Sequence, residues 1–313
     1  MNHSLFRPDH TFIRPNRPAR STLVIFGLLT LVAGAVYLFI SQHKPLLPVG
    51  FDGATALQDV QYQVDLGART PGSQAHIEEV AWIKEQLTGS DWQVEEQDTT
   101  LMGHPIQNIV AKRGVDTQRP WIILGAHYDS RMFADRDPNS ALRSQPVPAA
   151  NDGASGVAVL LELARSLPKN LPAQVWLVFF DAEDQGDIQG WDWILGSRAF
   201  AQHLTTKPDA VVVIDMIGDK NLDIYYESNS DQALSQAIWS VANKAGYQKQ
   251  FIPQEKYSME DDHTPFLEKG IRAVDLIDFD YPYWHTTADT ADKVSSESLH
   301  AVGDTLFRWI SAQ

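Results

Sequence analysis

Cysteine is absent from all 313 residues. That absence excludes disulfides, thiolate metal sites and cysteine nucleophiles, so any metal here must be held by imidazoles and carboxylates. Positive charge is also scarce. Arg7, Arg14, Arg17 and Arg20 lie in the first 21 residues beside one acid, Asp9, which leaves 21 Lys and Arg against 39 Asp and Glu in the remainder. A remainder so acidic lacks the basic footprint that a nucleic-acid partner requires. Internal repeats and low-complexity tracts are missing too. The length allows one large domain or two small ones, and the 43% apolar fraction with 9 Trp suits a sizeable core.

What is present begins with residues 22–40 (TLVIFGLLTLVAGAVYLFI), 19 residues without a charge. At ~1.5 Å per residue they reach ~29 Å, close to the ~30 Å hydrocarbon core of a bilayer. The Arg-rich tail before them predicts a cytoplasmic N-terminus and an exported remainder. A cleaved signal peptide has a shorter apolar region and small residues at its end, whereas this one ends YLFISQHK. The expected organisation is a cytoplasmic tail over 1–21, a single-pass transmembrane signal anchor over 22–40, a Pro-containing stalk over 41–52 and a catalytic domain over 53–313.

Along that domain helical and extended patterns alternate. The periodicity predicts helices over 73–87, 156–167, 197–204, 231–245, 263–269 and 295–310. Strands are expected over 92–97, 108–112, 121–126, 174–180, 210–214 and 273–277, with an edge strand over 222–226 beside 210–214. Residues 121–126 (WIILGA) are continuously apolar, as a strand buried on both faces would be. Residues 131–148 form a polar loop of a length commonly tied to function. The fold class is α/β, with a mostly parallel central sheet and helices on both faces.

Acids and imidazoles recur where these strands run out. His127 follows WIILGA, Glu183 and Asp184 follow VWLVFFDA, and Asp215 follows VVVI. That edge of a parallel sheet is where open α/β folds bind ligands. Asp129 points to the same side as His127 if the chain stays extended, and could then accept its second N–H. An ordinary packed histidine is the alternative. Asp152, in NDGASG, could be a helix N-cap with turn glycines, or it could bridge two cations. Ser155 lacks the spacing of a nucleophile elbow. Asp181, Glu183 and Asp184 repel one another unless they are solvated or bind cations. If Asp184 binds a metal, Glu183 beside it can act as general base, a role worth about a hundred- to ten-thousandfold in rate. His285 follows the last strand and lies near Asp289. A set of His and carboxylates without thiolate suits Zn²⁺.

The series HYDS, ANDGASG, FFDAEDQG, IDMIGD, DDHTPF and WHTTAD resembles the zinc exopeptidase family that contains bacterial aminopeptidases and glutaminyl cyclases. The match runs from Arg69-Thr70-Pro71-Gly72-Ser73 to the C-terminus, and the motifs are specific in combination although each is weak alone. The resemblance implies one or two Zn²⁺ per chain. His127 and Asp215 would hold one metal, Asp184 and His285 the other, with Asp152 bridging and Glu183 as general base. Many members have Glu-Glu where this chain has Glu183-Asp184, so Asp184 reaches one methylene less far.

The runs Gly196-Ser197-Arg198, residues 216–221 and 261–266, and Trp284 are similar to glutaminyl cyclases. Those enzymes keep most of the ligand set but use a single zinc. That branch implies conversion of an N-terminal Gln to pyroglutamate with loss of ammonia. Asp215 and Asp262 would then be a hydrogen-bonded acid pair near Glu183. Trp284, with Trp191 or Trp193, would line an apolar slot for the substrate; core packing explains Trp191 and Trp193 equally well. In the aminopeptidase branch the metals activate a water to attack the first peptide bond. Both branches imply peptide or protein N-termini as partners. A non-catalytic ectodomain of the same fold is a third reading, against which the intact ligand set, Glu183 included, speaks.

Overall fold

The computed structural model describes residues 50–114 and 119–313. The expected tail, the anchor over 22–40 and most of the stalk lie outside them; among the described residues no helix is long and apolar enough to cross a membrane. The elements in order are α1 (Gly53–Asp65), α2 (Gln74–Gly89), β1 (Gln93–Leu101), β2 (His104–Arg113), β3 (Trp121–His127), α3 (Ala154–Ser166), β4 (Gln174–Phe180), α4 (Leu195–His203), β5 (Ala210–Asp215), β6 (Ile224–Glu227), α5 (Gln232–Ala245), β7 (Phe251–Tyr257), α6 (Thr264–Glu268), β8 (Ala273–Ile277) and α7 (Ser296–Ser311).

Six strands form one sheet in the order β1-β2-β4-β3-β5-β8. The pairings β4–β3, β3–β5 and β5–β8 are parallel, while β2 runs against both β1 and β4. The sheet is therefore mixed, with β4, β3, β5 and β8 parallel up to the β8 edge and β1 and β2 antiparallel at the other. Every residue of β3, β5 and β8 is buried; WIILGA and AVVVI are continuously apolar, and β8 (AVDLI) is apolar except for Asp275.

Strand alternation divides these residues between two cores. Ile122, Leu124, Val212, Ile214, Val274 and Leu276 face the core built with α1, α2, α3, α5 and α7. Ile123, Val211, Val213 and Ala273 face the other way, toward Phe200 of α4 and Phe266 of α6. Each such side chain contributes about 1.5–3 kcal/mol when fully buried. Helices thus cover both faces, and the C-terminal ends of β3, β4, β5 and β8 open on one edge.

Three local expectations are corrected. The strand expected beside β5 belongs elsewhere: β6 pairs in parallel with β7 in a separate two-stranded sheet, and β8 takes the place next to β5. β8, fully buried and apolar but for Asp275, fits a doubly covered position; β6, with two half-buried tyrosines, does not. Strand β7 (FIPQEKY) was not expected, because it leaves most of its residues at the surface and carries no apolar alternation. Helix α1 was also missed. It buries only Gly53, Ala56, Val60 and Gln63, and the side chain of Asp52 caps it by accepting from Ala54 N–H.

The seat of α3 sets the position of what precedes it. A Cβ on Gly156 would meet the Ile214 carbonyl oxygen at 2.5 Å and the Ala126 Cβ at 2.9 Å. Helix and strands are thus in backbone contact at the edge where β3 and β5 end. Gly156→Ala is expected to destabilise the fold by about 1–3 kcal/mol through overpacking, outweighing the up to about 1 kcal/mol that Ala gains over Gly in a helix. A urea titration should show a lower midpoint with an unchanged slope; an unchanged midpoint would contradict the contact.

Candidate metal centre

The three central strands deliver their ends to one point. His127 is the last residue of β3 and Asp215 the last of β5. Glu183 and Asp184 lie three and four residues past β4. Asp152 arrives just before α3, and His285 comes from the segment after β8. None of the six exceeds 7% exposure.

His127 Nε2 lies 3.1 Å from Asp152 Oδ1 and 3.2 Å from Asp215 Oδ1, the latter a hydrogen bond. His285 Nε2 lies 2.9 Å from Asp184 Oδ1 and 3.7 Å from Asp152 Oδ2. Two groups of possible metal ligands result, His127–Asp152–Asp215 and Asp152–Asp184–His285, and Asp152 offers one oxygen to each.

The chemistry of the second group fits a cation. His285 Nε2, Asp184 Oδ2 and Asp152 Oδ2 are buried and have no hydrogen-bond partner. The 2.9 Å approach of His285 to Asp184 therefore lacks hydrogen-bond alignment, while the atoms converge as ligands around an ion do. Two carboxylates and an imidazole without thiolate are a donor set suited to zinc.

The titration behaviour has the same origin. Burial pushes the Glu183 carboxyl well above its ordinary range, helped by Asp184, Asp261 and Asp262 and opposed by His127. Burial likewise pushes Asp184 up to about 6 and Asp215 up to about 7. Asp152 is held below the ordinary value because His127 and His285 outweigh its burial. Burial works against the charged form of both imidazoles, yet the carboxylates around them raise His127 and bring His285 to about 9. Such a site draws positive charge, whether as protons or as a metal ion.

Outer groups hold the ligands in place. Asp129 accepts from Glu183 N–H (3.0 Å), Asp184 N–H (3.3 Å) and Gln185 Nε2 (2.9 Å), with His127 Nδ1 at 3.4 Å. Asp289 accepts from the N–H groups of Asn151 and Asp152 and from the Tyr281 hydroxyl, so it fixes Asp152 rather than His285. A Cβ on Gly153 would sit 2.8 Å from His127 Nδ1, and only glycine lets this turn lie against the imidazole. Of the eight non-glycine residues with positive φ among the described residues, Ala149, Ala182, Asp187, Met216 and His285 are within three residues of a candidate ligand or are one. Backbone strain of about 1–3 kcal/mol each is concentrated here.

The expected aromatic slot exists beside this centre, with a volume of about 210 Å³, between Trp193, Met216, Met259, Ile277, Phe279 and Trp284. Trp284 and Trp193 both stack on the ring of His285, with centroids 3.7 Å and 6.0 Å away. Trp191 lies elsewhere, stacked on His104. Asp262 is wholly buried, and Asp261 is the acid that lines the slot next to Glu183 and Asp215. The hydrogen bond of Asp215 goes to His127, and none to Asp262 is formed among the described residues. A cavity of about 580 Å³ around Trp121 and Trp176 is larger, but no candidate ligand lines it. The sequence reading missed Asp261, one position from the acid it chose, and also Arg131 and Asp135. Asp135 lies 3.4 Å from His285 Nδ1. Only the length of the polar loop signalled those two.

The profile of Peptidase family M28 matches residues 108–310. A glutaminyl-peptide cyclotransferase of Boiga irregularis is 27% identical over 285 residues, covering 76% of this chain and 75% of that one. The crystal structure of Porphyromonas gingivalis glutaminyl cyclase superposes with a TM-score of 0.78 at 32% identity, over 84% of this chain and 99% of that one. A Zn-dependent exopeptidase from Parabacteroides distasonis gives a TM-score of 0.80 at 29% identity, over 85% and 100%. The matched region contains all six residues of the centre, and the chain belongs to peptidase family M28.

Proposed function

We propose that this protein is a zinc-dependent enzyme acting on peptide N-termini, and that its reaction is cyclisation of N-terminal glutamine to pyroglutamate with release of ammonia. One observation carries the choice of reaction. The Nε2 of His127 is engaged by a hydrogen bond to Asp215, whereas the Asp152, Asp184 and His285 atoms converge without hydrogen bonds. That is one open ligand set beside one satisfied set, which suits a single-zinc cyclase.

Asp152, Asp184 and His285 would hold the zinc, which when bound supplies Lewis-acid polarisation of the γ-carbonyl. The slot of about 210 Å³ has room for little more than one folded side chain, and its Trp, Phe, Ile and Met walls exclude water. Glu183 takes a proton from the α-amine as the nitrogen attacks the γ-carbon. It returns the proton to the departing amide nitrogen as the C–N bond breaks, so ammonia leaves and the lactam remains. The base must be ionised to begin. The positive charge that this centre draws lowers the Glu183 carboxyl from the value that burial alone imposes.

A second reading, a zinc aminopeptidase, is favoured by the two oxygens of Asp152 directed at different imidazoles, the geometry of a metal bridge. Glu183 would then take its proton from an attacking water. Residues 22–40 behind the Arg-rich tail support membrane anchoring with the catalytic domain exported.

Incubation of the protein with Gln-peptides and Leu-peptides, read by mass spectrometry, should show loss of ammonia from the first and no shortening of the second. Residue release without cyclisation would sink the cyclase assignment. Glu183→Gln is expected to reduce turnover by about a hundred- to ten-thousandfold with zinc retained; near-normal turnover would remove Glu183 from its role. Metal analysis of the purified protein should find one zinc per chain, and two tightly held zinc ions would favour the peptidase.

A further inference from the structure

Both imidazoles of the centre have the same construction: Nε2 faces ligand carboxylates and Nδ1 faces an outer aspartate at 3.4 Å. The two outer aspartates differ in how they are held. Asp129 is fully buried and fixed by three N–H donors from the segment after β4. The Asp135 side chain is 41% exposed and sits on the loop after β3, gripped by Arg131 through Nε–Oδ1 at 3.0 Å and Nη2–Oδ2 at 2.7 Å.

Arg131 itself is buried and anchored. It donates to the carbonyls of Asp184 (3.0 Å) and Gly186 (3.1 Å), and Nη1 lies 3.6 Å from Asp184 Oδ1. The same short segment reaches His285 by two more routes. Arg136 N–H donates to the His285 carbonyl at 3.2 Å, and its guanidinium lies over the ring of Trp284, the indole stacked on His285. His285 needs such support, because it adopts φ +55°, a left-handed conformation that L side chains rarely occupy.

We propose that residues 131–136 form a clamp on His285, in which Asp135 is the positioning residue that fixes the tautomer and the ring direction of the imidazole toward Asp152 and Asp184. This rests on the reading that Asp152, Asp184 and His285 hold zinc. Asp135 faces Nδ1 at 3.4 Å without an aligned hydrogen bond, and its charge favours the tautomer protonated there, which leaves Nε2 free as the ligand atom. The stacked indoles set the ring plane, and the carboxylate sets its rotation within that plane. The half of the centre that contains His285 therefore depends on a loop ion pair at the surface, whereas the half that contains His127 depends on buried groups. Removal of the Asp135 carboxylate should loosen zinc without loss of the fold.

The test measures zinc affinity by chelator competition, and the absorption spectrum of the cobalt-substituted protein, for wild type, Asp135→Asn and Asp135→Ala. Asp135→Ala is expected to weaken zinc binding about 10- to 100-fold and to change the cobalt spectrum. Asp135→Asn, which keeps an oxygen facing Nδ1 but loses the charge, should lie between that variant and wild type. Circular dichroism and metal-free thermal unfolding should be close to wild type for both. Zinc affinity within twofold of wild type and an unchanged cobalt spectrum in both folded variants would overturn the clamp. A wild-type protein that binds no zinc at this centre would overturn the proposed function and the clamp with it.

Discussion

Buried negative charge that cannot reach water is the constraint on which the rest of the structure depends. Asp152, Glu183, Asp184 and Asp215 meet within a few ångströms, almost entirely shielded, with two imidazoles and one guanidinium to offset them. Left to themselves, carboxylates in such a place take up protons. The surroundings hold in place the segments that carry them. Asp129 collects the backbone N–H groups of the acidic segment, Asp289 collects those before α3, and Arg131 holds the Asp184 carbonyl. The protein places its stiffest local structure around groups that repel one another, which is worthwhile only if something of opposite charge belongs between them.

In the function proposed above, the choice between cyclase and peptidase turns on the ring of His127. Its position is fixed from three sides, by the end of β3, by Asp129 and by the turn at Gly153. What varies is whether its Nε2 lone pair is available. A hydrogen bond to Asp215 engages that nitrogen and leaves Asp215 as part of a proton-holding wall next to Glu183 and Asp261. The same residues could serve either chemistry, since a proton and a second metal ion compete for one place. Retention of a ligand set is therefore weak evidence for the number of metals, and the hydrogen-bond geometry is better evidence.

The legible part of the fold was the part buried on both faces. Strands β3, β4, β5 and β8 are dominated by apolar residues, because most of their side chains meet one of two cores, and their boundaries were read to within a residue or two. Their ends carried the site, so His127, Glu183, Asp184 and Asp215 could be read from the sequence. Elements that make half-exposed surfaces were obscure: α1 buries only four residues, and β7 has polar side chains and Pro253 where a periodic signal would be. Asp135 was invisible for a different reason. Its role is made by a loop returning to a residue 150 positions later, and no local pattern records such a meeting. Asp261 and Asp262 could not be told apart, because adjacent residues at the start of a short helix differ only in direction.

The alternating stack of Arg131, Trp193, His285, Trp284 and Arg136 has an evolutionary consequence. The two indoles that line the slot also stack on the ring of a candidate ligand. A lineage that enlarged the slot by trimming either indole would disturb the centre at the same step. Selectivity at this site is therefore hard to change by small mutations within the slot. Drift in substrate preference would be channelled to the wall around Met259, away from the stacked indoles.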